Sequence, residues 1–281
     1  MLAPERQSRI LRELQHHEAV RVAELATVLG VSEMTVRRDI EALDTSGLAR
    51  KIHGGATRLS RLSAVEPGFS SNANREPEAK NAIATAALSL LEPGMTVALT
   101  GGTTTYLLAT MLHQVDDLTV VTNSLKVAEV IHQQQHSSAP KVIVTGGERT
   151  PSEALVGPVA RASISRLNTD ICFMGVHGID HERGLTSPNL QEADTNAAFA
   201  EATRVLVVLA DHSKFNVRSL ASIAPLSRVD TIITDDGVDS PTLAMFRPLV
   251  NHLLVANDPA EESAGYTPLH STHSTIGGTA R

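Results

Sequence analysis

Apolar residues recur every three or four positions in three short blocks of the first 57 residues, a spacing that predicts amphipathic helices. The predicted helices span about residues 5–16, 23–29 and 32–46. Gly30 supplies the left-handed conformation that a tight turn between the second and third helices needs, and the Ser32 hydroxyl is placed to cap the third helix. We therefore predict a helix-turn-helix over residues 20–39.

The third predicted helix has one buried face and one exposed face. Val36, Ile40 and Leu43 recur at steps of four and three and define the buried face. Arg37 and Arg38 lie outside it, near the helix N-terminus, where a basic pair can reach the major groove of DNA. The alternative is a generic three-helix interaction module with an incidental arginine pair. The ordered succession of turn, cap, arginine pair and basic strand favours DNA binding.

A basic segment follows the third helix. Residues 48–57 are predicted to form a strand that turns at Gly54-Gly55, and residues 47–62 contain four basic residues and no acidic one. This pattern is typical of the wing of a winged helix-turn-helix, which lies against the sugar-phosphate backbone. The candidate DNA contacts in this wing are Arg50, Lys51 and His53.

From residue 77 onward, helical stretches alternate with short runs rich in β-branched residues. Seven of these runs are predicted to be buried strands, at 95–99, 118–122, 141–145, 170–175, 204–210, 231–234 and 252–256. Such alternation predicts a parallel sheet covered by helices on both faces. The expected fold class is α/β, with a small winged helix-turn-helix domain at 1–57, a linker at 58–76, a larger α/β domain at 77–258 and a disordered tail at 259–281.

The net charge of −7 is unevenly distributed along the chain: residues 1–61 hold 10 basic and 8 acidic residues, whereas the remainder holds 14 and 23. An acidic body with a locally basic head fits a protein that binds nucleic-acid phosphates with one end only. Cys172 is the only cysteine, which favours a reducing compartment, and the longest apolar run, 205–210, is too short to span a membrane. We expect a cytoplasmic protein with no membrane partner.

Several of the predicted strands end in loops rich in glycine, threonine, serine or asparagine. In parallel sheets, ligands bind at the carboxyl ends of strands, where loops enter helix N-termini. Glycine lets backbone amides approach an anion, threonine adds hydroxyl donors, and a lysine adds positive charge. One such loop more often makes only a turn, but together the loops suit a phosphorylated polyol or sugar. The candidate ligand contacts are Gly101, Gly102, Thr103, Thr104, Thr105, Asn123, Ser124, Gly146, Gly147, Asp180, Glu192 and Lys214.

Two motifs of the first domain resemble the DNA-binding domain of the DeoR family of bacterial repressors. They are Thr35-Val-Arg-Arg-Asp on the third helix and Lys51-Ile-His-Gly-Gly-Ala in the wing. By that resemblance, Arg37 and Arg38 belong to the recognition helix. Ser32 and Thr35 are then contacts to the DNA backbone.

The larger domain resembles the DeoR-family effector domain over roughly residues 76–257, in segments such as Gly102-Thr-Thr-Thr and Val121-Thr-Asn-Ser. The family usually has Asp-Ser where this chain has Thr100-Gly101. That domain is similar in fold to ribose-5-phosphate isomerase and glucosamine-6-phosphate deaminase. The resemblance implies a repressor of a carbohydrate-metabolism operon that a small phosphorylated sugar releases from double-stranded operator DNA. We expect no cofactor, and a homo-oligomer whose paired heads read repeated half-sites.

An enzyme is the main alternative, because the related fold hosts isomerases and deaminases and because His177, Asp180 and Glu192 can act as acid or base. No nucleophile–base pair can be identified from spacing, and a DNA-reading head would be superfluous on such an enzyme. A metal site is the second alternative, suggested by His177, His181 and Glu182. That spacing suits a helix, whereas here it lies in a glycine-containing loop. We therefore expect a regulator with neither catalytic residues nor a bound metal.

Overall fold

The computed structural model describes residues 2–16, 19–46, 48–52, 54–57, 68–134 and 139–256. The chain divides between residues 63 and 64 into two compact units. The first unit has the predicted winged helix-turn-helix architecture, and the second is an α/β domain.

The described part of the N-terminal unit contains three helices and a three-stranded antiparallel sheet of order β1-β3-β2. Its elements are α1 (Ala3–His16), β1 (Ala19–Arg21), α2 (Val22–Leu29), α3 (Glu33–Thr45), β2 (Arg50–Ile52) and β3 (Gly55–Thr57). The three helices start and end within two residues of the predicted positions. Ile10, Leu25 and Ile40 meet in a small core, each at most 2% exposed.

The C-terminal unit begins its described part with two helices, α4 (Phe69–Ala73) and α5 (Pro77–Leu88). Strands and helices then follow as β4 (Thr96–Leu99), α6 (Thr103–Met111), β5 (Thr119–Thr122), α7 (Leu125–Gln133), β6 (Lys141–Val144), β7 (Glu148–Arg149), β8 (Leu155–Val156) and α8 (Pro158–Ile164). The remaining elements are β9 (Thr169–Gly175), β10 (Gly178–Asp180), β11 (Gly184–Ser187), α9 (Leu190–Ala202), β12 (Thr203–Leu209), β13 (Ala221–Ala224), β14 (Thr231–Thr234), α10 (Ser240–Phe246) and β15 (His252–Val255).

The seven predicted strands all belong to one parallel sheet, of order β15-β14-β12-β9-β4-β5-β6. The chain starts this sheet at β4, builds outward through β5 and β6, and then returns to place β9 on the other side of β4. The loops that follow β4 and β9 therefore leave the sheet in opposite directions. Such a switch point opens a crevice at the carboxyl ends of the two strands, where α/β proteins bind their ligands.

Alternate residues of the central strands point into two separate hydrophobic clusters, one on each face of the sheet. In β9, Ile171 and Phe173 belong to the cluster formed with α5, α6 and α7. Cys172 and Met174 belong to the cluster formed with α8, α9 and α10, which includes Phe199. Burial raises the pKa of the Cys172 thiol. The predicted covering of both faces by helices is confirmed.

Two features differ from the expectations. β6 was expected to be buried, but it is the edge strand of the sheet, so Val144 is 44% exposed. The segment 58–76 was expected to be a linker with no steady period, but within its described part, which begins at Gly68, residues 69–73 form α4. This helix is held by tertiary contacts, namely the Phe69 backbone N–H to the Pro151 carbonyl (3.1 Å) and the Phe69 ring edge-on to the Tyr106 ring (5.5 Å between centroids). A five-residue helix that depends on such contacts cannot be predicted from the periodicity of its own residues.

Candidate functional site

The turn between α2 and α3 has the geometry expected of a helix-turn-helix. Gly30 ends α2 in the left-handed region at φ 65°, which a residue with a side chain adopts at a cost. Ser32 is the N-cap of α3 and its hydroxyl accepts a hydrogen bond from the Thr35 backbone N–H (3.3 Å). Val36 is fully buried and fixes the rotation of α3 about its axis. The exposed face of α3 is thereby presented to solvent.

Asp39, the last residue of the motif on α3, has a structural role that was not expected from the sequence. It is 4% exposed and accepts two hydrogen bonds from the Arg6 guanidinium, at 2.7 Å from Nε and 3.1 Å from Nη2. Such a bidentate pair fixes the orientation of the two side chains as well as the distance between them. Asp39 therefore anchors α3 on α1 and is not itself available to DNA.

The basic residues proposed for DNA contact differ in what they bind within the protein. Arg37 forms an exposed ion pair with Glu33 (2.8 Å), and Lys51 forms one with Glu41 (2.5 Å). Arg38 is exposed, and the described residues give it no hydrogen bond or ion pair. Exposed ion pairs contribute little to stability, about 0–1 kcal/mol, so a DNA phosphate can replace either carboxylate.

The other predicted DNA contacts are placed less completely. The hydroxyls of Ser32 and Thr35 hydrogen-bond each other (2.9 Å) at the start of α3. Arg50 lies in β2, but its side chain is outside the described residues. His53 is also outside them.

In the second unit, a cleft opens at the carboxyl ends of β4, β9 and β12, on the switch point of the sheet, and we call it the β4–β9 cleft. It holds about 580 Å³, part of it open to solvent. Its lining residues are Phe69, Asn72, Lys80, Gly101, Gly102, Thr103, Thr104, Ser152, Gly175, Val176, His177, Glu192, Leu209, Asp211 and Lys214.

Six of the predicted ligand contacts line this cleft and six do not. The lining ones are Gly101, Gly102, Thr103, Thr104, Glu192 and Lys214. Those outside the lining are Thr105, Asn123, Ser124, Gly146, Gly147 and Asp180. Four of the latter have identifiable structural bonds. Thr105 Oγ1 donates to the Thr100 carbonyl (2.8 Å), Ser124 caps α7, and Asp180 accepts from the Arg183 backbone N–H (2.8 Å). Asn123 is the fourth.

The Asn123 side chain holds the loop after β4 in place. Its side chain is fully buried, its Oδ1 accepts from the Gly101 backbone N–H (2.9 Å) and its Nδ2 donates to the Leu155 carbonyl (3.0 Å). The amide thus binds the loop after β4 to the strand β8. Its contribution to the β4–β9 cleft is to position Gly101.

Thr100 and Gly101 stand where the related family usually has Asp-Ser. The Thr100 hydroxyl is fully buried and accepts from the Gly175 backbone N–H (3.1 Å), which ties the end of β4 to the end of β9. A Cβ added to Gly101 would lie 2.7 Å from the Cβ of Ala154, closer than real contacts allow. In this chain, therefore, a serine at position 101 requires movement of the neighbouring loop.

Two lysines line the cleft, and only Lys214 was expected from the sequence. Lys214 lies in the short 3₁₀ turn after β12. Lys80 lies on α5, is 3% exposed, and its ammonium donates to the carbonyls of Asn72 (2.5 Å) and Arg75. Burial lowers the pKa of Lys80 from its ordinary value. The helical period of α5 gave no signal for this residue, because a lysine on an amphipathic helix ordinarily faces water.

The turn that carries Lys214 is held by a histidine–carboxylate pair. His212 Nδ1 lies 2.7 Å from Asp235 Oδ2, and the His212 backbone N–H donates to Asp235 Oδ1 (2.7 Å). The hydrogen bond to Asp235 raises the pKa of His212 above its ordinary value. The second ring nitrogen, Nε2, lies 3.9 Å from a carboxylate oxygen of Glu76, at the start of α5. These contacts connect the turn of Lys214 to β14 and α5.

A buried carboxylate completes the lining of the cleft. Glu192 is 3% exposed and accepts hydrogen bonds from the hydroxyls of Ser187 (2.9 Å) and Ser152 (3.3 Å). His177 Nδ1 lies 3.7 Å from the same carboxylate. A carboxylate in this setting can accept hydrogen bonds from ligand hydroxyl groups.

The alternative metal site receives no support from the arrangement of its residues. His177 faces Glu192, whereas His181 is exposed and lies beside Glu182 at 3.9 Å. Across the part of the chain that the structure describes, no three histidine, cysteine, aspartate or glutamate side chains gather as a metal site would require. Among the described helices, none is long and apolar enough to cross a membrane.

Comparisons with known proteins agree with this architecture. Residues 6–61 match the model of the DeoR-like helix-turn-helix domain, and residues 75–236 match that of the DeoR C terminal sensor domain. The chain is 35% identical to the HTH-type transcriptional regulator GolR of Listeria innocua over 86% of its length and 94% of GolR. It is 31% identical to the HTH-type transcriptional repressor CsqR of Escherichia coli K12, over 82% of this chain and 87% of CsqR.

A solved structure of ribose 5-phosphate isomerase A from Methanocaldococcus jannaschii overlaps 53% of this chain and 58% of its own, at a TM-score of 0.38 and 17% identity. That likeness is too low to bear on function. The two family matches together cover most of the chain, one over each of its compact units. The protein belongs to the DeoR family of DNA-binding transcriptional regulators.

Proposed function

We propose that this protein represses a carbohydrate-metabolism operon and is released from its operator when a phosphorylated sugar binds the β4–β9 cleft. The observation that carries the proposal is the composition of the cleft. It combines a glycine–threonine loop at the N-terminus of α6, two lysines and a buried carboxylate at the switch point of a parallel sheet. These are groups that bind an anion and hydroxyl groups of one small molecule.

The anionic group of the effector is assigned to the loop of residues 101–104 and to Lys214. Backbone amides at the start of α6 and the threonine hydroxyls donate hydrogen bonds, and the helix N-terminus carries partial positive charge. Glu192 is assigned to hydroxyl groups of the sugar, because a carboxylate accepts hydrogen bonds and repels a second phosphate. The effector class is therefore a sugar monophosphate.

The N-terminal unit is assigned to double-stranded operator DNA. Arg38 is exposed, and it forms no hydrogen bond or ion pair with the described residues. Its side chain therefore suits a contact to base edges in the major groove. Arg37, Arg50, Lys51 and His53 are assigned with the α3 cap residues to the vicinity of the DNA backbone. A single head reads only a few base pairs, so we propose that two or more copies of the chain bind together, in the cytoplasm of a bacterium, where operator DNA lies.

The test is fluorescence anisotropy of the full-length protein with a duplex from upstream of its own gene. The duplex is titrated alone and then with triose, pentose and hexose monophosphates, each paired with its unphosphorylated sugar. Release by one monophosphate and not by its parent sugar supports the proposal. Specific binding that no compound releases contradicts the effector, and absence of specific binding contradicts the regulator.

A matched pair of variants tests the site itself. Lys214→Met should leave operator binding intact and abolish release by the active monophosphate. Lys126→Met removes a partly exposed lysine of α7 that pairs with Glu129 and should behave as the wild type. The same compounds are followed by NMR for turnover, because conversion of the active one would favour the enzyme alternative over a purely regulatory cleft.

A further inference from the structure

Lys80 is a buried cation whose hydrogen-bond partners are neutral. Its side chain is 3% exposed, and its ammonium donates to the main-chain carbonyls of Asn72 and Arg75. In the described ranges it forms no ion pair with a carboxylate. Asp211 and Glu76 are close enough to favour the charged form, while Lys214 and Arg75 oppose it.

A buried charge without a bonded counter-charge is costly, and an ammonium has three donors, of which two are used here. The third donor belongs to a side chain that lines the β4–β9 cleft, as Lys214 also does. An anion bound in the cleft would supply the missing charge. The burial of Lys80 therefore indicates a second cation for the anionic group of the ligand.

The two carbonyl partners of Lys80 belong to α4 and to the turn that follows it. α4 has five residues, and none of them is fully buried. Apart from Lys80, it is held by the backbone bond of Phe69 to Pro151 and by the contact of the Phe69 ring with Tyr106. Few contacts and little burial make an element easy to displace. Phe69 and Asn72 also line the cleft, so α4 forms part of its wall.

The position of α4 along the chain makes it relevant to regulation. Residues 58–67 connect β3 of the DNA-binding unit to Gly68, the N-cap of α4. The chain that leaves the N-terminal, DNA-binding unit thus reaches the C-terminal, sensor unit through α4. An event that moves or orders α4 acts on the end of that connection.

We propose that Lys80 couples the effector to the DNA-binding unit. Its ammonium binds the anionic group in the cleft, and its hydrogen bonds to the carbonyls of Asn72 and Arg75 hold α4 against the occupied site. A ligand shifts an equilibrium only as far as its affinity differs between the two states. Lys80 provides this difference in affinity. Both carbonyls and the anion can bind the one ammonium only when α4 is packed against the cleft. This inference rests on the proposed function and adds the residue and the element that transmit it.

The experiment is amide hydrogen exchange of the full-length protein with and without inorganic phosphate as the anionic probe. In the wild type, phosphate should slow exchange about threefold or more at residues 69–76 as well as at residues 101–104. In Lys80→Met, exchange at 69–76 should be faster without phosphate and should no longer respond to it. Phosphate affinity should fall at least about tenfold, since a charge-assisted hydrogen bond is lost.

Two variants separate this inference from the proposed function. Lys214→Met should weaken phosphate binding equally but leave exchange at 69–76 at the wild-type level without phosphate, since it holds no part of α4. Lys126→Met should match the wild type throughout. If phosphate protects residues 101–104 but not 69–76, or if Lys80→Met responds as the wild type does, the coupling role is overturned and the effector site stands. If phosphate protects neither segment, both are overturned.

A variant that keeps Lys80 guards against loss of folding in Lys80→Met. Phe69→Ala removes the ring that holds α4 on Tyr106 and leaves the ammonium in place. Phosphate should still slow exchange at residues 101–104, because both cleft lysines are kept, but residues 69–76 should no longer respond to it. Release of operator DNA by the monophosphate that releases the wild type should require a concentration at least about tenfold higher. Unchanged release would overturn the role of α4.

Discussion

Replacement of Asn123 by alanine tests whether this residue supports the effector cleft or contacts the effector. The substitution leaves the Gly101 N–H and the Leu155 carbonyl without their partner at a fully buried position. Each unsatisfied buried group costs about 1–3 kcal/mol, so the two together cost about 4 kcal/mol as a central value. For a domain of this size, that loss lowers the melting temperature by about 8–16 °C.

The assay is differential scanning calorimetry of the full-length protein, with the sensor-unit transition as the readout. Asn81→Ala is the matched control, because Asn81 is an exposed residue of α5, and its transition should shift by less than about 2 °C. Operator binding by Asn123→Ala, measured well below its melting temperature, should equal that of the wild type. Effector-driven release should be weaker, since the amides of the loop after β4 lose their support.

One result would refute this reasoning. If Asn123→Ala melts within about 2 °C of the wild type and yet loses effector binding, the amide is not a structural support. Asn123 would then contact the effector directly. The hydrogen bonds to Gly101 and Leu155 would be of minor energetic importance.

Three further predictions concern other parts of the molecule. Arg38→Ala should weaken operator binding and relax base choice by about 1–3 kcal/mol at one position, without loss of stability, as measured by anisotropy with operator variants. Lys51→Ala should weaken specific and non-specific binding about equally and reduce the salt slope by about one phosphate contact. Asp235→Asn should flatten the pH dependence of the melting temperature from about pH 6.5 upward, the range over which the raised pKa of His212 acts. In the wild type, Asp235 raises the pKa of His212, so their pair stabilises fully below about pH 6.5 and its contribution is lost as the pH rises through the folded-state pKa.

Each of these predictions has a result that would contradict it. Unchanged base choice in Arg38→Ala would remove that residue from the major groove, and Arg12→Ala, at an exposed position of α1, serves as its control. A selective loss of specific binding in Lys51→Ala would mean that Lys51 reads bases instead of phosphates. A wild-type pH profile in Asp235→Asn would show that the His212 pair does not contribute to stability.

Much of the architecture could be predicted because it depends on local periodicity. The helices of the N-terminal unit, the cap at Ser32 and all seven strands of the parallel sheet follow from spacings within ten to fifteen residues. The glycine–threonine loop after β4 was also visible, since composition alone marks it. β6 was recognised as a strand but not as an edge, because strand order is not encoded in a strand's own pattern.

The candidate site was only partly visible for the same physical reason. Gly101 and Lys214 were found because they follow predicted strands. Lys80 lies near the start of helix α5 and reaches the cleft through tertiary packing alone. The Arg6–Asp39 pair joins residues 33 apart, and the bond from Gly175 to Thr100 joins residues 75 apart. Chain topology and burial determine which residues pair across such long sequence separations.

The amino-acid sequence by itself thus determined the two-unit plan, the secondary structure and the chemical character of the loops, since each depends on neighbours along the chain. Only the tertiary structure decided which loop residues face the cleft and which support it. It alone buried Lys80 beside Lys214 and placed α4 in the cleft wall. These features arise from strand order and helix packing, which bring distant residues into contact and exclude water from the groups between them.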